Sequence, residues 1–318
     1  MNRFLVCVVL LAAMVHPLQA QDAWPSRPVK LIVPSSPGGG TDVFARLLAQ
    51  SLETVTGQTF VVENKPGASG NIGAQAAAQS TPDGYTFLVA SNSSTAINPY
   101  LYKSPGLDVK RDLVPVARGV MGVSVLIVNP ADGINSVADL IARAKQKPET
   151  LAYGSAGTGS SPYLGVRMIE EQAGVKFIHV PYKGVGPALT ELMGGRLQFM
   201  YTDLASAIPF INAGKLKVIA IDRKSNLAPG APTFAEAGLP NFDSPIAFSV
   251  LAPAAVPKPI VQRMSVEVVK ALKAIAPRLE EQALIPVYDT PADFAASLDA
   301  ERNMWQSFIT RNGITVDQ

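Results

Sequence analysis

Short apolar runs bounded by Gly or Pro alternate along the chain with longer stretches whose apolar residues recur every three or four positions. That rhythm predicts strands joined by helices. Val29-Lys30-Leu31-Ile32-Val33 reads as a buried strand, and residues 42–56 as a helix with Phe44, Leu47, Leu48 and Leu52 on one face. Phe60-Val61-Val62-Glu63 and Thr86-Phe87-Leu88-Val89 continue the series, with a Gly/Ala-rich helix around residues 74–79 between them. A parallel sheet with helical crossovers is expected. A second series starts near Ser136, with a helix to Lys147, a strand over residues 151–154 and a helix from Pro162. Strands follow around Phe177-Ile178-His179, Phe199-Met200-Tyr201 and Val218-Ile219-Ala220-Ile221. The architecture repeats, although the sequence does not.

Two extended apolar segments without helical period, residues 122–129 and 245–251, separate these series and are flanked by Gly or Pro. They suit a double crossover in which the chain leaves the first lobe, builds the second and returns. Helices after Pro257 and over residues 291–311, with Phe294, Leu298, Trp305 and Phe308 at near-helical spacing, would complete the first lobe. The expected fold is therefore a two-lobed, doubly wound α/β structure joined by a two-strand hinge. Residues 21–121 and 246–318 form lobe 1, and residues 122–245 form lobe 2. Lobes joined in this way open and close.

The first twenty residues stand apart. Arg3 gives a positive start, an apolar run from Phe4 to Val15 follows, and His16-Pro17-Leu18-Gln19-Ala20 ends in a small residue. This predicts a secretory signal peptide over residues 1–20. Leu18 is bulkier than the usual residue three positions before the cut, which blurs the cleavage position. Removing the segment also removes Cys7, the only cysteine of the chain, and His16, leaving His179 as the one histidine. No later stretch approaches the length of a transmembrane helix, so a soluble protein exported to the periplasm is expected. The 318 residues carry a net charge of only +2, with Lys and Arg dispersed, and the footprint of a nucleic-acid binder is absent.

Candidate chemistry sits in two glycine-rich turns. Pro34-Ser35-Ser36-Pro37-Gly38-Gly39-Gly40-Thr41-Asp42 follows the first strand, and Tyr153-Gly154-Ser155-Ala156-Gly157-Thr158-Gly159-Ser160-Ser161 follows a strand of the second lobe; each leads into a helix. Glycine lets the backbone approach a ligand closely, and amides at a helix N-terminus attract anions without Lys or Arg. Turns of this kind lie at the carboxyl ends of strands in open parallel sheets, where ligands bind. If the lobes face each other, a carboxylate gains its second set of contacts only on closure. A tight connection capped by Thr41 or Ser161 is the plainer account of either turn taken alone.

As a set, these motifs resemble one family. They are joined by Glu63-Asn64-Lys65-Pro66-Gly67-Ala68-Ser69-Gly70-Asn71-Ile72-Gly73, Pro82-Asp83-Gly84-Tyr85-Thr86, Val180-Pro181-Tyr182-Lys183-Gly184, Gly214-Lys215-Leu216 and Leu251-Ala252-Pro253. The chain is similar, in order and over nearly all its length after residue 20, to the Bug-type substrate-binding proteins of tripartite tricarboxylate transporters. The resemblance implies a periplasmic binding protein fold of the type II-like class, each lobe a mainly parallel sheet flanked by helices. It implies a monomer without catalytic activity, metal or cofactor. A small organic acid, a di- or tricarboxylate or an aromatic carboxylate, would be captured between the lobes and delivered to the membrane permease subunits. Ser36, Pro37, Gly38, Gly39, Thr41 and Asp42 in the first turn, and Ser155, Gly157, Thr158, Gly159 and Ser160 in the second, are the implied ligand-holding residues. Ser91, Asn92 and Asp203 match further cleft positions. Capping explains Asp42 and Asp203 equally well.

Ser35 departs from the family, which commonly carries Phe or Tyr there. The change widens the cleft or adds a hydroxyl donor, so a larger, aromatic acid is a live reading. Enzyme readings are weak. The glycines at 154, 157 and 159 are spaced G-x-x-G-x-G, and no acidic residue closes the next strand to hold a ribose. There is no G-x-S-x-G elbow, and His179 lies within an apolar strand. Gly38-Gly39-Gly40 lacks the Gly-Lys-Ser/Thr ending of a phosphate loop. A co-sensor that presents the same ligand to a signalling receptor stays open, because it would need the same fold and site.

Overall fold

The computed structural model describes residues 24–102 and 106–316. The expected signal peptide, with Cys7, lies outside the described residues. Eleven strands form two sheets. They are β1 (Val29–Val33), β2 (Phe60–Asn64), β3 (Thr86–Ser91), β4 (Leu113–Gly122), β5 (Ser124–Val128), β6 (Ala152–Ser155), β7 (Ile178–Pro181), β8 (Phe199–Asp203), β9 (Lys217–Ile221), β10 (Ile246–Pro253) and β11 (Leu284–Pro286). The main helices are α1 (Gly40–Thr56), α2 (Asn71–Ala78), α3 (Val137–Gln146), α4 (Ser161–Ala173), α5 (Val185–Met193), α6 (Leu204–Asn212), α7 (Lys258–Ala274) and α8 (Pro291–Arg311).

The first sheet has the order β11-β4-β10-β3-β1-β2, and the second β7-β6-β8-β5-β9. Both are mixed. β1, β2 and β3 run parallel, as do β6, β7 and β8, whereas β10 is antiparallel to β3 and β4, and β5 to β8 and β9. β11, at the edge, is antiparallel to β4; the other two strands that run against the common direction, β10 and β5, are those on which the chain enters each sheet from the other. A crossover strand arrives from the neighbouring lobe and not from a helix on its own sheet, so nothing obliges it to share the common direction.

The lobes meet where β4 runs through Val123 into β5 and where Pro245 leads into β10. These two crossings lie side by side, because Ile246 pairs with Gly122. The Val123 amide donates to the Ala283 carbonyl at 3.1 Å, which ties the crossing to the segment before β11.

Pleat alternation explains the core of the second lobe. Successive residues of a strand face opposite sides of the sheet. Phe199 and Tyr201 of β8 join one buried cluster with Tyr153, Leu164 and Ile169, while Met200, Val125 and Ile127 join another with Leu189, Leu192 and Leu204. β8 is buried along its whole length, as a strand covered by helices on both faces must be. In the first lobe Trp305 of α8 is fully buried and seats the last helix against the sheet. Phe44 of α1 stacks on Phe248 of β10 with centroids 6.4 Å apart.

Candidate functional site

The first turn connects β1 to α1. Gly38 takes φ +85°, a left-handed conformation that glycine adopts without penalty. Gly39 caps the helix in an extended conformation with no side chain to satisfy the amides that follow. Asp42 faces back into the turn. Its carboxylate accepts from the Gly38 amide at 3.1 Å, Arg46 Nε at 3.0 Å and Asn64 Nδ2 at 2.9 Å. Burial pushes this carboxyl up, but the bonds from Arg46, Asn64 and Gly38 outweigh it and hold the group below its ordinary value.

The second turn connects β6 to α4 and is held by a different device. Ser155 Oγ lies 2.6 Å from His179 Nε2 and accepts from the Gly157 amide at 3.1 Å. The His179 ring packs between Tyr153 and Tyr163, with centroids at 5.0 and 4.6 Å. Burial, reinforced by the Arg167 charge, lowers the histidine to about 4. The imidazole is therefore neutral near pH 7 and works as a brace. The Ser160 hydroxyl caps α4 by accepting from the Tyr163 amide at 3.3 Å.

Across the cleft the lobes touch. The first amide of α1, Gly40, donates to Ser206 Oγ of the second lobe at 2.8 Å. Reciprocally, the first amide of α4, Ser161, donates to Ser93 Oγ of the first lobe at 3.0 Å. Thr158 O accepts from Ser69 Oγ at 2.5 Å and from Tyr102 Oη at 2.8 Å. Close approach demands glycine at two of these points. A Cβ on Gly40 would collide with Asp203 Oδ1 and the Phe248 ring, and one on Gly184 with Ser36 Oγ.

A cavity of about 50 Å³ lies between the lobes. Five helix N-termini reach its wall, through Gly39 and Gly40, Gly70, Ser160 and Ser161, Gly184 and Val185, and Asp203. The amides of Gly39, Thr41, Ala156 and Val185, all wall residues, have no hydrogen-bond partner among the described residues. Ser35 also lines the cavity, with a buried hydroxyl that has no partner. Lys183 adds a cation, and Ile246, Phe248 and Val185 add apolar surface. Such a wall attracts an anionic group attached to a short apolar body.

The model of the tripartite tricarboxylate transporter family receptor, TctC, matches residues 44–314. The chain belongs to this family. Protein BugT of Bordetella pertussis is 34% identical over 98% of this chain and 98% of its own length. A solved periplasmic transporter is 35% identical with a TM-score of 0.89, covering 93% of this chain and 100% of its own. The structure of R. palustris Rpa4515 with adipate is 34% identical with a TM-score of 0.88, over 92% of this chain and 100% of its own. MatC from Rhodopseudomonas palustris, solved with bound malate, is 27% identical with a TM-score of 0.84, over 89% of this chain and 99% of its own. As a TctC-family chain with the fold of periplasmic binding proteins, the protein is a solute-binding protein and not an enzyme.

Within this TctC-family fold, the residues singled out from the sequence fall into three groups. Ser35, Gly39, Thr41, Ser91, Ser160 and Asp203 line the cavity. Ser36 and Pro37 pack on the start of α5, against Gly184 and Gly186. Gly38, Asp42, Ser155, Gly157, Thr158 and Gly159 build the turns or seal one lobe on the other, and Asn92 stands behind the wall, bonded to the Pro245 carbonyl at 2.8 Å and to Ser161 Oγ at 2.6 Å.

Asp203 does two things. It caps α6, accepting from the Ser206 amide at 2.9 Å and Ser206 Oγ at 2.7 Å, and it walls the cavity. Burial raises this carboxyl above its ordinary value despite the Ser206 bonds, which moves it toward the neutral acid and weakens its repulsion of an anion.

A third anion-type turn, Lys183-Gly184-Val185, also walls the site; of it, sequence reasoning offers only Lys183 as a partner for a carboxylate, with a solvated side chain as the favoured account. Sequence reasoning missed the Gly67-to-Gly70 turn, where Ser69 takes φ +50°. Both lie inside motifs quoted above for the family resemblance, and their density of glycine was the available signal.

Proposed function

We propose that the chain is an exported periplasmic receptor that closes its two lobes on one small aliphatic carboxylate and delivers it to the permease of a tripartite tricarboxylate-type transporter. The observation that carries this reading is the presence of unpartnered amides from both lobes, among them Gly39 and Thr41 of the first and Ala156 and Val185 of the second, in residues that wall one cavity. Backbone amides in a folded chain are almost always paired, so a cavity wall that leaves several of them without a partner suits acceptor oxygens. The Ser35 hydroxyl and Lys183 add a donor and a charge to the same space.

Phe248 and Ile246 give the space an apolar side that suits the hydrocarbon body of an organic acid, and an aliphatic body is the choice made here. The relatives solved with adipate and malate fit this choice.

Calorimetric titration of the protein, freed of any ligand carried through purification by unfolding and refolding, tests the proposal. Adipate or malate should bind with one site per chain, and benzoate at least about ten-fold more weakly, a difference of 1.4 kcal/mol. Absence of heat with every aliphatic and aromatic acid tried would overturn the reading. Loss of acid uptake on deletion of the gene, with unchanged acid-induced expression, would place it in transport and not in sensing.

A further inference from the structure

We propose that Asn92 is a latch that holds the lobes closed and does not touch the ligand; the proposal rests on the two-lobe capture reading and concerns the regulation of that same site. Asn92 follows β3 at the floor of the cleft and is almost fully buried. Its two polar atoms reach in opposite directions. Oδ1 accepts from Ser161 Oγ, the first residue of α4 in the second lobe, at 2.6 Å. Nδ2 donates to the Pro245 carbonyl, on the return crossing between the lobes, at 2.8 Å, and to Glu301 Oε1 on the last helix of the first lobe. Trp305 Nε1 donates to the same Glu301 oxygen at 3.4 Å. One amide thus ties the mouth of α4, the return crossing and α8 together, with both hydrogens of Nδ2 and the Oδ1 oxygen engaged.

Only one of these bonds depends on closure. The Pro245 and Glu301 contacts lie within or beside the first lobe, whereas Ser161 belongs to the second. When the lobes part, Ser161 Oγ and Asn92 Oδ1 both return to water, and the Ser161 amide loses Ser93 Oγ as well. When they close, the three side chains are buried. Removing Asn92 in the closed state leaves the buried Ser161 hydroxyl only Ser93 Oγ, 3.1 Å away, and removing the Ser161 hydroxyl leaves Asn92 Oδ1 unpaired, while in the open state water takes the place of either partner. Asn92→Ala should then act on the closing equilibrium, and a ligand whose competent state is depopulated binds more weakly in proportion.

Spin labels attached at exposed helix positions, through Glu53→Cys on the first lobe and Lys145→Cys on the second in a Cys-free background, report the interlobe distance by pulsed dipolar spectroscopy. The distance is measured with and without adipate or malate. Asn92→Ala is expected to shift the population from the short distance toward the long one and to weaken acid binding about ten-fold. Ser161→Ala, which leaves the Pro245 and Glu301 bonds intact, is expected to do the same and covers the case in which Asn92→Ala folds poorly. The effects of the two changes in the double variant should be less than additive, because both remove the Asn92–Ser161 bond. A merely structural role for Asn92 would lower thermal stability without moving the distance distribution of the folded protein.

The latch is overturned if both variants keep the wild-type distance distribution, if their effects add as independent ones, or if the wild type never populates the short distance. A short-distance population that depends on Asn92 but responds to no acid would support the latch while overturning the carboxylate reading.

Discussion

The two glycine-rich turns look alike in sequence, and the folded chain uses them differently. The first, ahead of α1, is locked by a charged clamp of Asp42, Arg46 and Asn64, and it keeps the Gly39 and Thr41 amides and the Ser35 hydroxyl open to the cavity. The second, ahead of α4, is locked by a neutral brace of Ser155 and His179. Three of its amides are already used. Gly157 and Ser160 bond within the turn, Ser161 bonds across the cleft, and Thr158 receives two donors from the first lobe. One turn mainly presents groups to a guest, and the other mainly seals one lobe against the other. A glycine-rich turn before a helix specifies only that amides will be available; the surrounding side chains decide who receives them.

The largest way to break this contrast is to stop the turns from meeting. Gly40→Ala places a methyl group against Asp203 of the second lobe only when the lobes are shut; its overlap with the tip of the Phe248 ring lies within the first lobe and is relieved by a small shift of that ring, so the open form should still fold. Acid binding by calorimetry should fall by about 100-fold or more, the equivalent of two 1.4 kcal/mol steps. The melting temperature without ligand should hardly move.

Next comes pH, which between 7 and 4.5 should act on the second turn and spare the clamp of the first. His179 titrates at about 4 in the folded chain and near 6.5 when unfolded. Its folded value is the lower one, so protonation favours the unfolded chain. Its contribution to stability is complete above pH 6.5 and is lost as pH falls toward 4, amounting to about 2–3 kcal/mol. Denaturant unfolding at pH 7 and pH 4.5 should show this loss in the wild type and much less of it in His179→Gln.

The first turn should respond to loss of its clamp. Asp42→Ala removes an acceptor shared by one amide and two side chains and leaves Arg46 and Asn64 without it, at a cost of about 2 kcal/mol in unfolding free energy. Because folding depresses this carboxyl, the contribution is present above its ordinary value and disappears as pH falls through the lowered one. The smallest effect belongs to the presented hydroxyl. Ser35→Ala should weaken acid binding by about five-fold, near 1 kcal/mol, with stability unchanged.

Much of the fold was legible because its signals are local. The apolar runs at β1, β2, β3, β8 and β9 and the amphipathic faces of α1, α3 and α8 carry their own periodicity. Other elements hide theirs. α5 opens on Val185-Gly186-Pro187, which reads as turn punctuation, and α6 contains Pro209 and is apolar nearly all round. β4 includes Pro115 and a left-handed Gly119, and its pairing with β10 shifts register, so alternation is interrupted. At the site, residue type and spacing located both turns but not the direction of each side chain. Asn92 turns toward Ser161 and Glu301, and Ser155 toward His179, partners between 24 and 209 positions away. Such partners become neighbours only when the sheets are assembled.

The position of β10 also dictates a timetable for synthesis. It is flanked by β3 and β4, yet its residues follow the whole of the second lobe in the chain. A nascent polypeptide that has reached Ile221 already holds every strand of the second sheet, while the first sheet still has a gap through its middle. The inserted lobe can mature early, and its host must wait for the arrival of Ile246–Pro253 before its halves can knit.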